Sequence, residues 1–256
     1  MSIEKVLNQH PPVTFDKQEL RTLCSPRRNE RLESMELFRA VDERRSIRKF
    51  KSEPVERALL AEILRAALRA PSAINTQPWE CWVIGGETLR KLSQEMYAAA
   101  AEGRPHRSDF ELQKTWKEPF LNRMRDNGKG LFGLLGIERH DKEKREAFSL
   151  SMYRFFDAPQ VIFVCLDASL GTYGVFDCGG FVQTICLLAT EKGLGTCIQH
   201  SGVNYPDIIR KYALIPEEKK ILVAIAIGYP DEEAAINRFR SNCEPMENVV
   251  HWNDLS

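Results

Sequence analysis

Hydrophobic and polar positions alternate in two rhythms along this chain. WECWVIGG (79–86), QVIFVCLD (160–167), GLGTCIQH (193–200) and ILVAIAIGY (221–229) are short apolar runs of strand length, and the last predicts a strand buried on both faces. Helical spacing fills the intervals. PVERALLAEILRAALRAP (54–71) carries Leu59, Leu60, Ile63, Leu64, Ala67 and Leu68 as one stripe between two prolines, and a second helix runs from Glu87 to about Ala101. SMELFRAVDERR predicts a helix capped by Ser34 with Leu37, Phe38 and Val41 on one face. DCGGFVQTICLLATEKG predicts a sparsely charged helix capped by Asp177 and ended by Gly193, and Tyr205–Tyr212 a short one. Residues 102–150 are the most charged and least patterned stretch, and they predict a surface excursion that could serve as a lid. Residues 1–33, with three prolines, predict an N-terminal arm preceding a single domain over 34–256. The order of helices and strands is too irregular for a doubly wound parallel sheet, and no fixed-period repeat is present.

Composition then narrows the function classes. Lysine plus arginine equals aspartate plus glutamate, 36 against 36, so no overall field draws the chain to nucleic acid or an anionic membrane. The longest apolar run falls well short of the roughly 20 residues of a membrane span, and MSIEKVLNQHPPVTF lacks the pattern of a secretory signal, so a cytoplasmic location is expected. Seven cysteines without a C-x-x-C read as reduced core thiols. Five histidines without ligand spacing predict no metal.

Three polar clusters carry the chemistry. RRSIRKFK (44–51) ends the first helix with three arginines, and guanidinium forks match phosphate oxygens bidentately, while a solvated basic face would look the same. NRFRSN places Arg238 and Arg240 just beyond the last strand, at alternate positions that point one way in an extended chain. PSAINTQPW (71–79) has more short polar groups than a turn needs. A fourth match, GKGLFG (128–133), has the dinucleotide spacing but no strand before it, and it reads as a mobile loop.

Taken in order, RRSIRKF, APSAINTQPW, GLGTCIQ and IGYP followed by basic residues resemble the nitroreductase family of flavin enzymes over about Met35–Pro245. The resemblance implies an α+β nitroreductase-like fold, a small mostly antiparallel sheet wrapped by helices, in a homodimer whose subunits exchange a C-terminal arm. It implies bound FMN at the subunit interface, with Arg44, Arg45, Ser46 and Arg48 as the first flavin-binding motif. Arg44 and Ser46 would meet the phosphate and ribityl end, and Arg48 the N1 and C2-carbonyl edge of the ring. Arg238 and Arg240 would join at the phosphate, and Pro71, Ser72, Ala73 and Asn75 would run along the flavin. Gln77, Pro78 and Trp79 would anchor that loop, with Trp79 as core. The segment from Cys197 through Gln199 and His200 to Ser201 would bring backbone N–H groups toward N5, Cys197 itself being core.

Asn75, His200 and Trp116 are candidates for the substrate pocket, and Trp116, Phe120 and Phe132 for an aromatic lid. The dehalogenating branch of the family carries His and Glu where Asn75 and Gln77 stand, which argues against iodotyrosine-type chemistry. The expected activity is transfer of hydride from NADH or NADPH to a flat, electron-poor acceptor such as a nitroaromatic or quinone, in a ping-pong cycle through flavin N5. The alternatives are an ene-type reductase or dehydrogenase on the same scaffold, and a non-catalytic flavin- or anion-binding protein.

Overall fold

The computed structural model describes residues 36–111 and 113–253; the proposed arm at 1–33 and the cap at Ser34 lie outside them. Seven α-helices and four strands are present among the described residues. They are α1 (Leu37–Glu43), α2 (Arg57–Ala67), β1 (Trp79–Gly85), α3 (Gly86–Ala101), α4 (Phe120–Leu134), α5 (Lys142–Ser151), β2 (Gln160–Asp167), α6 (Thr172–Glu191), β3 (Gly195–Gln199), α7 (Pro206–Ala213) and β4 (Lys219–Gly228). The sheet order is β1-β2-β4-β3, and every neighbouring pair is antiparallel.

The unbroken apolar runs of β2 and β4 follow from burial on both faces. Successive strand side chains point to opposite sides. Val161, Phe163 and Cys165 of β2 join Ala224 and Ala226 of β4 in one cluster, which includes Leu89, Leu92 and Met96 of α3 and Ile208 of α7. Ile162, Val164 and Leu166 join Val223, Ile225 and Ile227 in a second, which includes Leu60 and Ile63 of α2 and Phe181 and Ile185 of α6. The sheet is thus covered by helices on both faces, and each fully buried large aliphatic or aromatic side chain contributes roughly 1.5–3 kcal/mol. Trp79 is core as expected: it is buried and stacks on Phe181 with centroids 4.8 Å apart and ring planes 2° from parallel.

Several local expectations are corrected. Asp177 does not cap its helix: α6 begins five residues earlier, after Gly171, and Asp177 lies inside it, buried. Gly174 lies in the added turns, where its packing on Leu166 and Leu170 outweighs its low intrinsic helix propensity. Gly193, at φ +71°, lies just beyond the C-cap as expected.

The excursion at 102–150 contains α4 and α5, helices whose heavy charge hid their narrow apolar stripes. GKGLFG is therefore no loop but lies within α4, where its glycines each cost roughly 0.5–1 kcal/mol relative to alanine. Leu37, Phe38 and Val41 do share the first helix, but they face outward, and only Ala40 of α1 is buried. Cys243 is exposed and so departs from the core-thiol pattern, whereas Cys165, Cys178, Cys186 and Cys197 are buried free thiols. Among the described residues no group of His, Cys, Asp and Glu is arranged to hold a metal.

Candidate functional site

The chain leaves α1 at Glu43 and runs extended beside the sheet's open edge. The Ile47 N–H donates to the Thr196 carbonyl of β3 at 2.9 Å, and the Lys51 N–H donates to the Tyr229 carbonyl at 2.9 Å. This approach depends on Gly195, where a Cβ would stand 2.6 Å from Cγ1 of Ile47. Thr196 turns its carbonyl away from β4, so Ile198, two residues on, has its N–H and C=O on the same free edge.

One buried side chain joins this segment to the chain's late basic segment. The Asn237 Oδ1 accepts from the N–H groups of Arg48 at 2.8 Å and Lys49 at 3.1 Å. Its Nδ2 donates to the carbonyls of Lys49 at 2.7 Å and Asp231 at 2.9 Å. Its own carbonyl accepts from Arg45 Nε at 2.6 Å. At 2% exposure, every polar atom of this amide side chain is partnered.

The result is a cleft of about 760 Å³ lined by Arg44, Arg45, Ser46, Arg48 and Arg240, with Phe38 and Val41 of α1 on its wall. Asp42 is the one carboxylate lining it. Arg45 also donates to the Glu43 carbonyl, Arg48 to the Ser46 carbonyl and Arg240 to the Asp42 carbonyl. Among the described residues none of these four guanidinium groups forms an ion pair with a carboxylate. An uncompensated cluster of this kind leaves a local excess of positive charge with the hydrogen-bonding geometry to receive an anion. Arg238 ends a short 3-10 turn, Ala235–Arg238, so the alternating geometry expected of the basic pair does not apply; Arg238 is exposed and is not among the residues lining the cleft.

The 71–79 loop stores strain. Ile74, Asn75 and Gln77 have φ of 46°, 61° and 46°, a left-handed conformation that costs an L-residue roughly 1–2 kcal/mol. Besides its own backbone turns, two side-chain acceptors hold it: Asp177 Oδ2 accepts from the Ala73 N–H at 3.0 Å, and Ser72 Oγ accepts from the Gln77 N–H at 2.9 Å. Pro71, Ala73 and Asn75 are exposed and Ser72 is half-buried, while Ile74 is 97% exposed. Pro78 and Trp79 are buried and anchor the loop, but Gln77 is exposed and does not. Strain held in place by polar contacts marks a segment shaped for more than connection.

The remaining candidates are spread more widely. Gln199 is buried with Nε2 donating to the Met152 carbonyl at 3.1 Å, so its side chain supports the core and only its backbone belongs to the edge. His200 is exposed at the end of β3. Cys197 lies under the first arginine segment, and burial pushes its thiol up to about 11 despite the opposing influence of Arg48 and Ser46, which leaves it inert near neutrality. Trp116 and Phe120 are exposed, and Phe132 packs edge-on against Phe148. Sequence reasoning missed Asn237 and Asp177. A lone asparagine in a basic loop gave no signal for the first, but an aspartate inside an apolar helix, read as buried rather than as a cap, could have revealed the second.

The fold and cleft define an α+β protein with an arginine-lined cleft near the β3 edge of an antiparallel sheet. The family model described as "Nitroreductase family" matches residues 41–229, and the chain belongs to that family. It is 32% identical over 231 residues to a 4-nitrobenzoate reductase of Nocardioides sp. (strain LMS-CY), covering 87% of this chain and 93% of the relative. Its structure is similar to that of the FMN and NADPH-dependent nitroreductase NfnB from a Sphigopyxis strain, with a TM-score of 0.83, 32% identity, and coverage of 86% of this chain and 100% of the other. It is also similar to the FMN-dependent nitroreductase NfnB from Mycobacterium smegmatis in complex with NADPH, with a TM-score of 0.81, 28% identity, and coverage of 84% and 97%.

Proposed function

We propose that this protein is an FMN-dependent oxidoreductase that takes hydride from NADH or NADPH and passes electrons to a flat, electron-poor acceptor such as a nitroaromatic or quinone. The observation that carries the reading is the set of four arginines without carboxylate partners lining one cleft beside the free backbone edge of β3. The residues present fit the cofactor. Arg44, Ser46 and Arg240 would hold the phosphate and ribityl end. Arg48 would stand at the N1 and C2-carbonyl edge, where fixed positive charge stabilises the anion that grows on reduction in a site closed to water. Pro71, Ser72, Ala73 and Asn75 would flank the ring, and the Ile198 N–H lies on the edge that would meet N5. When bound, FMN supplies a ring that accepts a hydride and returns it, so no side-chain acid or base is required of this chain.

A second copy of the chain completes the site in this reading. Phe38 is 89% exposed and Phe176 of α6 78% exposed, and α1 packs against α6. Apolar groups so exposed around one region indicate an interface. α6 is long and apolar enough to cross a membrane by composition alone, but its buried residues lie in the core beside the sheet, and the subunit interface accounts for its exposed aromatics. Beyond β4 the chain leaves Met246, Val249 and Trp252 exposed, which suits an arm crossing to the partner. The free thiols suit a reducing compartment, and we place the protein in the cytoplasm.

Purification followed by anaerobic mixing with NADH and NADPH tests the proposal. A yellow dimer bleached by either nucleotide and reoxidised by a nitroaromatic or quinone supports it. Protein that cannot be loaded with FMN refutes it in favour of an anion-binding module. Loaded protein that neither nucleotide bleaches, even with acceptor present, refutes the electron-donor assignment. Arg48→Ala should slow reduction more than it weakens FMN retention.

A further inference from the structure

α4, the loop that follows it and Arg145 of α5 line a second, open cavity of about 770 Å³, and the flavin reading leaves it unused. Two i,i+4 rows of α4 form its floor: Met124, Gly128 and Phe132, and beside them Arg125, Lys129 and Gly133. Arg139 and Arg145 line it from the connecting loop and α5. Four cations therefore face one space whose single lining carboxylate is Glu138, in a chain with no net charge. Arg125 reaches Glu118 at 3.5 Å, whereas Lys129, Arg139 and Arg145 form no ion pair among the described residues. The Arg145 guanidinium lies 4.0 Å from the Phe132 ring centroid, and a guanidinium seated on an aromatic ring offers its other face for stacking.

The glycines provide an independent observation. Gly130 has a packing reason, since a Cβ there would meet the Phe239 ring at 3.2 Å. Gly128 and Gly133 have none: nothing lies within 4 Å of a Cβ built on either, and both line the cavity. Helix-weakening residues with open space in front of them, next to unpaired cations, leave room for a ligand to approach the backbone closely.

We propose that this cavity is a nucleotide site, in which a purine stacks on Arg145 and phosphates bind Lys129 and Arg139. Its ligand is an adenine nucleotide: either the 2′-phosphoadenosine end of NADPH or a free nucleotide. The first source rests on the oxidoreductase reading above, whereas the site itself does not.

Binding of 2′,5′-ADP and 5′-ADP to the FMN-loaded protein, followed by calorimetry, tests it. Saturable binding is expected, weakened at least tenfold in the double variant Lys129→Glu/Arg139→Glu with FMN occupancy unchanged. Gly128→Leu fills the groove with a better helix former. It should raise or keep the melting temperature and still weaken binding at least tenfold, which separates lost space from lost folding. Competition of 2′,5′-ADP with NADPH identifies the electron donor as the source; binding without competition identifies a free nucleotide. No saturable binding at millimolar nucleotide, or binding unchanged in both variants, overturns the proposal whether or not the protein reduces nitroaromatics.

Discussion

Replacing Asn237 by alanine removes four hydrogen bonds, to the Arg48 and Lys49 N–H groups and to the Lys49 and Asp231 carbonyls, and leaves all four backbone groups without that partner. An unsatisfied buried group costs about 1–3 kcal/mol, but these sites are partly buried, so water relieves some of the loss and the terms are not additive. A destabilisation of about 2–4 kcal/mol is expected, which lowers the melting temperature by roughly 4–16 °C for a domain of this size. The measurement is thermal unfolding of the apoprotein at fixed protein concentration, which holds any contribution from association constant.

The same substitution frees the Arg45–Lys49 segment from the 231–240 segment, so the cleft arginines lose their fixed spacing. FMN affinity should then fall about tenfold more than that of riboflavin, which lacks the phosphate. Asn237→Asp conserves shape but turns two donors into acceptors facing carbonyls, so it should be at least as damaging. A melting temperature within about 2 °C of the parent and an unchanged FMN-to-riboflavin ratio in both variants would refute this account of the clamp.

Arg44→Ala and Arg240→Ala should each weaken FMN by the roughly 1.5–3 kcal/mol of a charge-assisted contact, with riboflavin much less affected, and the double variant should be non-additive if both grip one phosphate. Asp177→Ala removes the acceptor of the Ala73 N–H, so the strained loop should relax; increased proteolysis within 71–77 at unchanged secondary structure is the readout, and an unchanged cleavage rate counts against the restraint. With its thiol near 11, Cys197 is about one part in a thousand thiolate at pH 8, so iodoacetamide should label exposed Cys243 and spare Cys197 in the folded protein. Asp167, held down to about 2 first by the Ser169 hydroxyl and then by the Ser169 N–H and Lys219, has a depressed folded-state value; its contribution is present above the ordinary carboxylate range and lost as pH falls through about 2. Asp167→Asn should flatten that acid limb in a pH series of melting temperatures.

The sequence disclosed elements where one physical rule dominated. β2 and β4 are buried on both faces, so they read as unbroken apolar runs, and α2 and α3 carry the 3.6-residue stripe of helices buried on one side. The rules failed where they competed. Asp177 looks like a cap because aspartate favours caps, yet the helix extends past it, and its carboxylate is used on the backbone of a loop 104 residues away in sequence. In α4 and α5 few residues are buried, so charge concealed the period, and the glycines that suggested a loop lie inside a helix.

The arginine motif was legible as chemistry, but its spacing was not. Arg45, Arg48 and Arg240 converge on one cleft because Asn237 bonds to a segment nearly 190 residues away, and no local pattern encodes a contact of that range. The exposed face of α1 taught the converse. Leu37, Phe38 and Val41 form a proper apolar face, and periodicity reports that a face is to be covered without saying whether its own chain or a second copy covers it.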